Sequence, residues 1–169
     1  GKVYSRWGGL VDQVDEFDNE FFGIAPVEAT SMDPQQRLLL ETSWEAIEYA
    51  GYSPTQFTGS QGAVFVGAGP NEYGQQAIGL GDPALINAYM GTGNSLSIAA
   101  GRISYTLGWQ GPCSAIDTAC SSSLVAIHLA CQSLNTGESD IALAGGVNLT
   151  LSALTNITLS RAQMLSADG

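Results

Sequence analysis

Apolar residues recur along this chain in two rhythms, and their alternation sets the expected architecture. Leu38, Leu39, Trp44, Ile47 and Ala50 return at helical spacing, as one buried face of a helix requires. Asp33 precedes them as an N-cap, Pro34 takes the first helical position and Gly51 closes the run, the start and stop signals of a helix. Gly62-Ala63-Val64-Phe65-Val66-Gly67 is instead a short continuous apolar run between glycines, which predicts a strand buried on both faces of a parallel sheet. Ile141 to Val147 repeats that pattern, and Ala115-Ile116-Asp117 predicts a shorter strand. Asn94 to Ile103 and Ala119 to Leu134 predict helices, the second ended by Asn135-Thr136-Gly137. Pro26 to Ala29 reads as one helical turn, Pro70 to Pro83 as a polar, Gly-rich loop, and Leu149 to Leu151 as a further strand. Strand, helix and strand in this order predict β-α-β crossovers, an α/β fold with a mostly parallel sheet and helices on its faces.

Composition agrees with a packed body. Of 169 residues 44% are apolar and 12% charged, the reverse of a disordered chain, and the length suits one domain. The net charge is −11, and Lys2, Arg6, Arg37, Arg102 and Arg161 are the only fixed cations. That set cannot form the basic stripe that nucleic acid requires, nor hold an anionic membrane surface. The acidity serves solubility. No apolar run approaches the length that spans a bilayer, and a cytoplasmic location is expected. Three cysteines with no C-x-x-C spacing argue against a disulfide framework or a zinc site. The scattered acids Asp12, Glu16, Glu72 and Asp82 show no metal-ligand spacing and read as solvated surface. The chain opens on Gly1-Lys2 without Met and stops on the turn signal Ala167-Asp168-Gly169, so it reads as an excerpt.

The candidate for chemistry is Cys120, where the predicted short strand gives way to the predicted long helix. The unpaired N–H groups and positive end of a helix favour thiolate there. The backbone N–H of the turn is half an oxyanion hole. Cys131, mid-helix among Leu129, Ala130 and Leu134, reads as core packing, and Cys113 after Gly111-Pro112 as structural. His128 is the only histidine; eight residues along the same helix put it roughly 12 Å from Cys120, outside hydrogen-bond reach. The hydroxyls of Ser121, Ser122 and Ser123 are expected to bond to free backbone groups. Gly67-Ala68-Gly69 starts like a dinucleotide loop, but Glu72 stands where a third glycine belongs and Pro70 intrudes, so that reading is set aside.

Six segments, in order, carry a resemblance. They are Phe17 to Ile24, Met32-Asp33-Pro34-Gln35-Gln36-Arg37 to Glu41, Trp44 to Gly51, Ala100 to Tyr105, Asp117-Thr118-Ala119-Cys120-Ser121-Ser122-Ser123-Leu124, and Ala142 to Asn148. Together they resemble the ketosynthase (β-ketoacyl synthase) domain of type I modular polyketide synthases, which has the thiolase-like fold. The resemblance implies that Cys120 is the nucleophile and acyl acceptor, loaded from the phosphopantetheine arm of an acyl carrier protein, with its N–H in the oxyanion hole. A decarboxylating malonyl-type extender on the carrier would then attack the acyl-enzyme in a Claisen condensation. No bound cofactor or metal is implied. The implied partners are the carrier, other modules of the synthase and a second copy in a homodimer, with Arg102 to Tyr105 and Gln110 to Ala115 at the dimer interface and sheet. It further implies that residues 1–169 are the N-terminal half, lacking the family's first strand, its two active-site histidines and its lysine. An isolated half would expose a large apolar face and be inactive. Two rival readings are a thiol hydrolase or acyltransferase using Cys120 alone, for which the chain supplies no base, and a non-catalytic docking domain of the same fold.

Overall fold

The computed structural model describes residues 2–79 and 86–168. Its core is a parallel sheet of β1 (Gly62–Ala68), β2 (Cys113–Ile116) and β3 (Ile141–Val147) in the order β2-β1-β3. All seven residues of the central β1 are buried. Val64, Val66 and Ala68 join the core that includes Leu39, Leu40 and Ile47 of α2 (Pro34–Tyr49) and Ala99, Ala100 and Ile103 of α5 (Leu96–Leu107). Ala63 and Phe65 instead pack with Ala126 and Ala130 of α6 (Ser122–Asn135). The two-residue side-chain period of a strand thus divides β1 between two helical layers, and the α/β architecture with helices on both faces is the one the sequence predicts. No helix among the described residues is long and apolar enough to cross a membrane.

α2 begins as its sequence dictates. The Asp33 carboxylate accepts the Gln35 N–H at 2.8 Å, Pro34 takes the first position, and Gly51 follows the end with φ +85°. The polar residues after Pro34 are buried, and they fasten other segments. Gln35 Oε1 accepts the Leu149 N–H at 3.1 Å, Gln36 Nε2 donates to the carbonyls of Thr92 and Ser95, and Arg37 donates twice to the Met32 carbonyl. These bonds give buried side-chain groups backbone partners in other segments, as buried polar groups require.

Several expectations change. The predicted loop from Pro70 contains α3 (Glu72–Gly79), and its residues 80–83, Asp82 among them, lie outside the described residues. The predicted helix from Asn94 is two, α4 (Met90–Asn94) and α5, because Ser95 between them is extended. α6 starts at Ser122 rather than Ala119, whose φ is +55°. No strand forms at Leu149 to Leu151; the chain there leads into α7 (Ala153–Arg161). The predicted turn at Pro26 extends into α1 (Pro26–Ser31), and a short 3-10 helix spans Pro54–Phe57.

Glu72 ties these corrections together. It is buried rather than solvated, and its carboxylate accepts the N–H groups of Leu151 and Ser152 at 2.7 Å and the Thr155 hydroxyl. The polar α3 is thereby fixed to the start of α7, whose first N–H groups need an acceptor. Burial alone would raise the pKa of Glu72, but the hydrogen bonds from Thr155, Ser152 and Leu151 outweigh it and hold the carboxyl below the usual range. A folded pKa below the unfolded one contributes stability that is complete above the unfolded value and lost as pH falls through the folded value. Glu72→Gln should therefore lower hydrogen-exchange protection of residues 153–161 at neutral pH. After correction for intrinsic exchange, the wild-type protein should converge on the variant as pH falls. A difference that does not change with pH would contradict this.

Candidate active site

The carboxyl ends of the three parallel strands open into one cleft, of about 430 Å³, as crevices in α/β proteins do. The end of β1 with Gly69 and Pro70, Asp117 after β2, and the end of β3 with Asn148 line it; Cys120 and the first turn of α6 close the remaining side. Cys120 is exposed there. It lies two residues before α6, in a tight elbow rather than within the helix itself.

The elbow is a closed web of hydrogen bonds. The Thr118 N–H donates to Ser122 Oγ at 2.9 Å, and the Ala119 N–H to Asp117 Oδ1 at 3.1 Å. The Ser121 N–H donates to the Thr118 carbonyl at 3.4 Å and the Ser122 N–H to the Ala119 carbonyl at 3.1 Å. Ser121 Oγ bonds to the carbonyl and hydroxyl oxygens of Thr118, both at 2.8 Å, and Ser122 Oγ donates to the Ala119 carbonyl at 2.7 Å. The hydroxyls of Ser121 and Ser122 thus serve the backbone, as expected. Of the five consecutive N–H groups from Thr118 to Ser122, the one this web does not consume belongs to Cys120. Ala119 meanwhile sits in the left-handed region, which a residue with a Cβ occupies only when its surroundings impose it.

The room for this elbow comes from two glycines that pair across the sheet, Gly67 of β1 and Gly146 of β3. A Cβ on Gly67 would stand 2.7 Å from backbone atoms of Ser122 and Ser123, and one on Gly146 would stand 2.9 Å from the Ser123 Cβ. From the sequence, Gly67 reads as a strand boundary and the start of a rejected dinucleotide loop, and Gly146 as a residue within a predicted strand; neither is read as making room for the elbow. Their identical offset at the ends of two paired apolar runs was the available signal.

The other predicted residues lie apart from the cleft. Cys131 is exposed on α6, not in the core, because the face of α6 that meets the sheet carries Ala126 and Ala130 instead. Cys113 opens β2 and is exposed, with enough desolvation of its sulfur to raise the thiol pKa. His128 is exposed on α6, neither in the core nor at the cleft. Among the described residues lining the cleft there is no histidine and no lysine, and Asp117 is the ionisable side chain beside Cys120.

Residues 1–169 match the family model described as "Beta-ketoacyl synthase, N-terminal domain". A phenolphthiocerol/phthiocerol polyketide synthase component of Mycobacterium tuberculosis is 54% identical over the whole chain, which spans 11% of that protein. A pikromycin polyketide synthase component of Streptomyces venezuelae is 52% identical, and the whole chain spans 4% of it. Among solved structures, the oxazolomycin ketosynthase domain of Streptomyces albus superposes on the whole chain with TM-score 0.88 at 39% identity, 29% of that domain's chain being covered. The ketosynthase from module 6 of the Bacillus subtilis bacillaene synthase superposes on 95% of the chain with TM-score 0.83 at 43% identity, with 26% of it covered.

Proposed function

Because the chain belongs to the β-ketoacyl synthase family, as an N-terminal ketosynthase domain of the modular type I polyketide-synthase kind, we propose that Cys120 is the acyl-accepting nucleophile of a condensing enzyme. Its Sγ attacks the carbonyl carbon of an acyl thioester on the phosphopantetheine arm of an acyl carrier protein. The new C–S bond forms to Cys120, the carrier's C–S bond breaks, and the thiol proton leaves on the carrier sulfur. A malonyl-type thioester on a carrier then loses CO2, and the resulting carbanion attacks the acyl-enzyme. That step releases a β-ketoacyl carrier thioester and the Cys120 thiolate, which takes a proton from water to regenerate the thiol, so one difficult carbon–carbon bond formation becomes two easier steps.

The observation that carries this reading is the pairing of an exposed thiol with the one N–H of its elbow that the web leaves over. A thioester carbonyl attacked by Sγ develops negative charge on its oxygen, and a preorganised donor beside the nucleophile stabilises it. A docking module would gain nothing from a left-handed alanine, which costs on the order of 1 kcal/mol. Residues 1–169 supply the nucleophile and the floor of the cleft; the general acid–base groups come from the remainder of the domain. In keeping with that division, Leu124, Ile127 and Leu134 are exposed on the side of α6 away from the sheet, an apolar stripe that a second layer of the domain would cover. Other modules and a homodimer partner belong to the same proposal.

The test is a condensation assay. The full-length chain, given an acyl thioester and malonyl carrier, should release CO2 and a β-ketoacyl thioester, and residues 1–169 alone should release neither. Condensation by the 169 residues would refute the division of labour. A full-length chain that loads acyl groups but never condenses would refute the condensing assignment.

A further inference from the structure

We infer that Ser122 is a positioning residue for acyl transfer, acting through the peptide plane between Ala119 and Cys120. This rests on the reading of Cys120 as acyl acceptor and adds how its oxyanion donor is aimed. The Ala119 carbonyl receives two donors from one residue, the Ser122 hydroxyl at 2.7 Å and the Ser122 N–H at 3.1 Å. That carbonyl and the Cys120 N–H belong to the same peptide unit, which is planar and trans. Gripping the oxygen from the α6 side therefore turns the N–H to the opposite side of the plane. The same Ser122 oxygen accepts the Thr118 N–H at 2.9 Å. A single hydroxyl thus ties the Asp117–Thr118 peptide to the Ala119–Cys120 peptide and braces the segment in which Ala119 holds φ +55°.

The side chain is suited to the task. Ser122 is buried, 9% exposed, and its Oγ is a donor to one bond and an acceptor in the other, so the hydroxyl rotor is fixed. Ser121, by contrast, is exposed and both its side-chain bonds go to Thr118; it tightens the turn without touching the Ala119 carbonyl. Removing the Ser122 hydroxyl leaves that carbonyl one weaker donor and leaves the Thr118 N–H without its acceptor. The peptide is then free to rock, and the Cys120 N–H loses its aim without the thiol being removed.

Two reagents separate aim from thiol reactivity. Acyl transfer from a thioester passes through an oxyanion, whereas alkylation by iodoacetamide is a displacement at a saturated carbon in which iodide leaves and no oxyanion forms. In the full-length chain, Ser122→Ala should slow acyl loading between ~10-fold and ~10²-fold, less than the ~10²- to ~10³-fold loss seen when an oxyanion donor is removed outright, because the donor is misaimed rather than lost. Its rate of Cys120 alkylation should stay within about threefold, since that reaction makes no use of the donor. Loading at the wild-type rate would overturn the inference. So would a parallel fall in loading and alkylation, which would mark Ser122 as a support of the fold alone. The underlying reading has its own control: loading that persists in Cys120→Ala would overturn the nucleophile assignment, whatever Ser122→Ala does.

Discussion

Cys120→Ala is expected to reduce acyl loading of the full-length protein by at least about 10³-fold, because removing a nucleophile removes the covalent route itself. Cys113→Ala and Cys131→Ala are expected to load like the parent. The contrast rests on position and chemistry. Cys120 is exposed in the cleft at the strand ends, where a thioester has room to approach. Cys113 opens the edge strand β2, and desolvation raises its thiol pKa, so less thiolate is present near neutrality and the group is a poorer nucleophile. Cys131 stands eleven residues beyond Cys120 on a helix that rises about 1.5 Å per residue, three turns from the cleft. The measurement is the mass of the acylated peptide after a brief pulse of acyl thioester. Label found on the peptide of Cys113 or Cys131, and retained in Cys120→Ala, would refute the assignment.

Much of this arrangement was readable from the chain, and the unread remainder has specific causes. α2, β1 and β3 follow from periodicity and punctuation, since their ends are marked by Asp33-Pro34, by glycines and by continuous apolar runs. α3 escaped because the residues it buries are Glu72 and Gly74 while Ile78 is exposed, and α7 because it has no strong apolar face; one buried carboxylate, Glu72, joins them by bonding across 79 to 83 positions of sequence. No local pattern encodes so distant a bond. Cys131 was misplaced because α6 is apolar on more than one side, and periodicity cannot say which side meets the sheet. The elbow was displaced by three residues because a left-handed alanine has no sequence signature. Gln35, Gln36 and Arg37 entered as marks of resemblance, yet in the fold they are buried polar fasteners of the segments at residues 149, 92 to 95 and 32. The place of Cys120, beside a strand end and a helix start, was legible. The means of holding it there were not.

The second large effect concerns those means. Gly67→Ala should slow acyl loading by about 10²-fold, the scale of loss when a reacting group is displaced by around 1 Å. The added Cβ would lie 2.7 Å from Ser122 C and Ser123 N, and backbone atoms of a first helical turn cannot swing aside as a side chain can. Either β1 or the start of α6 must shift, and the elbow hangs from that start through Ser122. Overpacking of this kind also destabilises by roughly 1–3 kcal/mol. Gly146→Ala meets a softer obstacle, the Ser123 Cβ at 2.9 Å, and should cost less. Ser123→Gly removes that atom, so it should restore much of the loading lost in Gly146→Ala and little of that lost in Gly67→Ala. Such a double-mutant cycle reports coupling only where the two groups touch. Gly145→Ala, on the same strand with nothing within 4 Å of its added Cβ, is the neutral control. Equal rescue of both glycine variants by Ser123→Gly, or a loading rate unaffected by Gly67→Ala, would show that the close approach of sheet and helix does not set the position of Cys120.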